Sequence, residues 1–74
     1  MHVLLVEDEP GIARFISQEL KESGYAVDVI GDGLTGFNYA TSVEYDLIIV
    51  DILLPGMDGL QLLGKIRNQK IKKI

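Results

Sequence analysis

The residues of this 74-residue chain best equipped for chemistry are carboxylates. One is Asp51, at the end of the apolar run 46–50 (DLIIV), and the others form the cluster Glu7-Asp8-Glu9 that ends HVLLV. Both stand where a short apolar run stops, the place at which open α/β sheets hold their ligands. A carboxylate at the mouth of a buried strand is costly unless something neutralises it. If the two runs are neighbouring parallel strands, their C-terminal ends share one sheet edge and Glu7 and Asp8 fall close to Asp51. Three like charges in one shallow cleft do not all stay ionised without help. A hard divalent cation supplies it, most simply Mg²⁺, which takes few protein oxygens and keeps its waters. The Leu53 backbone carbonyl, just past Asp51, is placed to complete the set. A metal beside a carboxylate also prepares that carboxylate as a phosphoryl acceptor, because it offsets charge as an aspartyl phosphate forms.

The elements that must position these acids follow from pattern. Residues 2–6 (HVLLV) and 46–50 read as apolar strands, the second buried on both faces. Pro10 suits the first turn of a helix whose Ile12, Phe15, Ile16 and Leu20 recur at helical spacing, and Gly24 closes it. Residues 26–30 (AVDVI) alternate, with Asp28 on a wet side and the strand at a sheet edge. Asp32 is the N-cap of a second helix carrying Leu34, Phe37 and Ala40. Asp58 caps a third, with Leu62, Leu63 and Ile66 on its apolar face, and the final IKKI begins a fourth strand. The order β-α-β-α-β-α with short connections requires right-handed parallel crossovers. Two apolar strands and one wetter one give the spatial order 2-1-3.

Composition excludes several functions. With 47% apolar residues and net charge −4, the chain is a single small globular domain near the lower size limit for one core. Five of its seven basic residues fall within the last ten. They read as solvated helix-end charge, and the acidic body offers no face for nucleic acid. There is no cysteine for a disulfide or thiolate site, and no apolar run is long enough to span a bilayer. HVLLV leads into acids rather than a cleavage site, so it is not a signal peptide, and the expected location is the cytoplasm. His2, the one histidine, reads as a surface residue.

Other readings compete for the same residues. Glu7 and Asp8 would also serve as helix N-terminal acids stabilising the macrodipole. Residues 31–36 (GDGLTG) satisfy G-x-G-x-x-G between a strand and a helix. The strand before them reads as an edge, however, and an ordinary strand-to-helix turn explains them. A phosphatase with an aspartate nucleophile would want a second acid two residues after Asp51, where this chain has Leu53.

The pattern VLLVEDEP, an apolar strand ending in Asp51, and then LLPGMDG resembles the receiver domain of two-component response regulators over essentially the whole chain. Within that family VEDEP, DGLTG and DILLPGMDG look most like the subgroup that carries a winged-helix DNA-binding domain. The resemblance implies a partial flavodoxin-like, doubly wound parallel sheet. It implies Glu7 and Asp8 as the acid pair organising Mg²⁺, Asp51 as the phosphorylated aspartate and the Leu53 carbonyl as the third metal ligand. Pro55 and Gly59 match the loop that follows. It further implies a sensor histidine kinase as phosphodonor and no turnover of an external substrate, with transcription control in the full-length protein.

The family's receivers have five βα units, whereas residues 1–74 contain three and the start of a fourth strand. The family's hydroxyl residue after strand four and lysine after strand five have no counterpart here, and Lys70, Lys72 and Lys73 precede strand four. A truncated receiver is therefore expected, with an apolar third strand left as a template for self-association or domain swapping. The alternative function is a kinase-docking or self-pairing module without phosphorylation.

Overall fold

The computed structural model describes residues 1–51 and 59–68. They form β1 (His2–Val6), α1 (Pro10–Glu22), β2 (Ala26–Ile30), α2 (Gly33–Ser42), β3 (Leu47–Val50) and α3 (Gly59–Asn68). The strands are parallel in the order β2-β1-β3, the order expected from their hydropathy. Leu53, Pro55, Met57, Asp58 and the expected fourth strand lie outside the described residues.

Register sorts the strand residues onto two faces, because paired residues in parallel strands share a side. Val6 lies opposite Ile30 and Val50, and Leu4 opposite Asp28 and Ile48. On that side Leu4, Val6, Ala40, Tyr45, Ile48 and Leu62 form the core, with Ile30, Phe37 and Val50 packed against it. α2 packs on α3, β1 and β2 there. Val3 and Leu5 point to the other face and are also fully buried. The first crossover runs outward from the central strand and the second runs back across it. Right-handedness therefore puts α1 and α2 on opposite faces.

β1 is the strand buried on both sides. β3 was expected in that role, but only Ile48 is fully buried, and Leu47, Ile49 and Val50 are half-buried. Among the described residues β3 pairs with β1 alone.

α1 also differs from its apolar pattern. Ala13 and Ser17 are buried and Ile16 and Leu20 half-buried, whereas Ile12 and Phe15 are 49% and 66% exposed. The stripe that meets the sheet is 13, 16, 17 and 20, where small residues let the helix approach closely; Ile12 and Phe15 lie on its flank. The helix ends as expected. Gly24 takes φ +94, its N–H donating to the Lys21 carbonyl at 2.9 Å, a conformation open to glycine at little cost.

At α2 the Asp32 carboxylate accepts the Thr35 N–H at 2.8 Å, the expected N-cap. That bond holds the Asp32 carboxyl below the usual carboxylate range. Ala40 is buried and Phe37 half-buried, but Leu34 is exposed. Gly36 is buried, and a Cβ there would stand 3.0 Å from both Val6 methyl carbons. The third glycine of GDGLTG thus serves close packing of helix on strand.

Candidate functional site

The acids are brought together by backbone pairing before any side chain is considered. Val6 and Val50 are register partners, so the residues that follow them leave the sheet side by side. The Asp51 N–H donates to the Val6 carbonyl at 2.9 Å, and the Glu7 N–H to the Ile30 carbonyl at 2.9 Å. Each acid is thereby anchored to a neighbouring strand. Glu7, Asp8 and Asp51 each present a carboxylate oxygen, and these oxygens all lie within 4.8 Å of one another. Glu7 and Asp51 are half-buried and Asp8 is exposed. An all-oxygen set of three carboxylates, open to water on one side, fits Mg²⁺, a hard ion that retains several waters.

Glu9 stands apart from this group. Its side chain accepts the Ile12 N–H at 3.0 Å as N-cap of α1, and its carbonyl accepts the Ala13 N–H at 2.9 Å. The helix-terminal role open to Glu7 and Asp8 is filled by Glu9, one residue later. The Glu9 N–H also donates to Glu7 Oε2 at 3.1 Å. Glutamate is not among the preferred N-cap residues, which are short, so the sequence carried no strong sign of this role. The Leu53 carbonyl lies outside the described residues.

At the opposite end of the sheet a polar cluster escaped the sequence reading. His2 is half-buried, its side chain 36% exposed. Its Nε2 lies 3.0 Å from Asp28 Oδ2, and its ring centroid lies 4.6 Å from that of Tyr45. The Tyr45 hydroxyl donates to the same Asp28 oxygen at 2.7 Å. Asp28, on the wet side expected of it with its side chain 40% exposed, is thus paired as well as solvated. Burial, and then the bond to Asp28, push the Tyr45 phenol well above its usual range. Strand alternation places His2 and Leu4 on one face, and register adds Asp28 opposite Leu4. No local signal announces Tyr45 as their partner. This cluster is remote from Asp51 and serves the fold.

Comparison with known proteins accords with the geometry. Residues 3–74 match the family described as response regulator receiver domain. A transcriptional activator protein, IrlR of Burkholderia pseudomallei, is 45% identical over 68 residues, which cover 92% of this chain and 30% of that protein. The chain thus spans under a third of that relative. Among solved structures, the response regulator TrrA of Thermotoga maritima in complex with Mg(2+)-BeF superposes with TM-score 0.93 at 39% identity. It covers 97% of this chain and 64% of TrrA. A complex of the histidine kinase ThkA with TrrA matches with TM-score 0.89 at 38% identity, over the same shares of the two chains. No helix among the described residues is long and apolar enough to cross a membrane.

Proposed function

The chain belongs to the response regulator receiver domain family of two-component signalling, and on that premise we propose that Asp51 is its phosphoacceptor. Domains of this family bind Mg²⁺ at an acidic site and meet sensor histidine kinases. The observation that carries the proposal is the convergence of the Glu7, Asp8 and Asp51 carboxylates at the C-terminal edge of the sheet.

Glu7, Asp8, Asp51 and the Leu53 carbonyl are the residues that would hold Mg²⁺. When bound, the ion supplies positive charge to phosphate oxygens and to the acids themselves. Asp51 is anchored through its own N–H to Val6, which fixes the start of its side chain at the sheet edge. One of its carboxylate oxygens forms the new O–P bond as the P–N bond to a kinase phosphohistidine breaks, and the electron pair returns to the ring nitrogen. Nothing is turned over beyond the chain's own aspartate.

The three βα units of the described residues correspond to the first part of such a domain, a reading supported by the 64% of TrrA that the match covers. The likeness to IrlR supports a role for this receiver in cytoplasmic control of transcription. This segment contributes phosphoryl acceptance and kinase docking, and no contact with nucleic acid or membrane.

A second reading, self-association, draws on β3, which carries Leu47–Val50 and pairs on one side only among the described residues. An unpaired apolar edge is a template for a second copy. Light scattering across a concentration series tests it, and a monomer throughout would refute it.

Phosphorylation is tested by treating the chain with a small-molecule phosphodonor, with and without Mg²⁺, and reading intact mass. One added phosphoryl group is expected, dependent on Mg²⁺ and absent from Asp51→Asn. The same gain in the variant would sink the assignment.

A further inference from the structure

We infer that Glu9 is a positioning residue for the cation site, holding Glu7 in place without joining the ligand set. The inference rests on the Mg²⁺ reading above. Three hydrogen bonds tie Glu9 into the bend between β1 and α1. Its side chain accepts the Ile12 N–H at 3.0 Å, its carbonyl accepts the Ala13 N–H at 2.9 Å, and its N–H donates to Glu7 Oε2 at 3.1 Å. The first two fix Glu9 to the opening turn of α1, and the third passes that fixation to the Glu7 carboxylate. Glu7 is held from the other side by its own N–H on the Ile30 carbonyl at 2.9 Å. A carboxylate oxygen has more than one lone-pair direction, so the bond from Glu9 orients Glu7 and leaves it capacity for a cation.

Two neighbours are suited to this arrangement. Pro10 at the first helical position needs no acceptor for an N–H and has the φ of a helix. Gly11 leaves space for the Glu9 carboxylate, since a Cβ there would lie 3.1 Å from Glu9 Oε1. Glu9 is a fourth acid beside three, yet the N-terminus of α1 takes up its charge. Cap and ligand are therefore separate carboxylates, joined by one hydrogen bond.

The test uses the 74-residue chain with Glu9→Gln, which keeps an oxygen at the same reach and removes the charge, and Glu9→Ala, which removes both. Mg²⁺ titrations are followed through the amide resonances of residues 7–9 and 51. Hydrogen exchange of the Glu9 and Ile12 amides is measured in metal-free protein. Partners that orient metal ligands typically matter by 10-fold or more, and here the Glu9 N–H itself survives substitution, so Glu9→Ala should weaken Mg²⁺ by about fivefold. Glu9→Gln should stay within about twofold of the parent, since its oxygen still caps the helix. Protection of both amides should fall in Glu9→Ala and persist in Glu9→Gln. Equal weakening in both variants would show that charge alone matters and overturn the inference. So would unchanged affinity and protection in Glu9→Ala. A parent that shows no saturable response to Mg²⁺ would overturn the metal reading instead, and the metal-free exchange would still decide whether Glu9 holds the bend.

Discussion

Replacing Asp8 with Asn keeps the side chain's shape and removes one of three charges whose oxygens lie within 4.8 Å of one another. At that distance two unit charges repel by about 0.9 kcal/mol in a water-like dielectric. Glu7 and Asp8 are sequence neighbours and repel in the unfolded chain as well, so the repulsion that folding adds to Asp8 is the about 0.9 kcal/mol from Asp51. Half-burial of Glu7 and Asp51 lowers the local dielectric and raises this figure, while physiological salt, with a Debye length of about 8 Å, cuts it by roughly half. Against it stands the attraction of Asp8 to the nearby N-terminus of α1, about 0.3–1 kcal/mol. Without divalent cation and at low salt, Asp8→Asn should therefore be more stable than the parent by roughly 0.5 kcal/mol, or about 2–4 °C in Tm for a domain of this size. Mg²⁺ should reverse the order. At about ten times Kd it adds about 1.4 kcal/mol to the parent, and it adds much less to a variant with one ligand fewer. Circular dichroism melts at fixed protein concentration, with and without Mg²⁺ and at two salt levels, read both effects. A variant less stable than the parent without Mg²⁺, or Mg²⁺ raising both proteins equally, would refute the reasoning.

Two predictions concern the scaffold. Gly36→Ala forces a methyl against both Val6 methyls and should destabilise by about 1–3 kcal/mol in urea unfolding, although alanine is the better helix former. Adding Val6→Ala should recover part of that loss, and additive losses would refute the contact. Tyr45→Phe removes the donor to Asp28 and should cost about 1 kcal/mol. The Tyr45 phenol is raised in the folded chain. Its contribution is therefore fully present below the unfolded phenol value of about 10 and is lost as pH rises through the folded value. Alkaline titration by tyrosinate absorbance should find Tyr45 ionising last of the three tyrosines, and ionisation together with the others would count against it.

The pieces of the site were legible because each is a local pattern. An apolar run followed by acid marks a strand end, and two such runs beside a wetter one give the order 2-1-3. That order alone carries Glu7 and Asp8 to Asp51, since parallel neighbours end on the same edge. Gly24 and Asp32 were legible for the same reason: a left-handed helix end and an N-cap are requirements of a few adjacent residues.

Tertiary structure decided what depends on which neighbour is actually present. Ile12 and Phe15 fit the helical period, yet the sheet meets Ala13 and Ser17 instead, because close approach favours small side chains. β1 rather than β3 is the doubly buried strand, since among the described residues only β1 has a partner strand on each side. His2, Asp28 and Tyr45 gather only when register and the turn into β3 bring together residues far apart in the chain. The acidic run shows the division most clearly. The sequence places Glu7, Asp8 and Asp51 at one edge and leaves the helix-capping role open among the acids. Only backbone direction at the bend after β1 divides them, turning Glu9 onto the helix and leaving Glu7 and Asp8 facing Asp51.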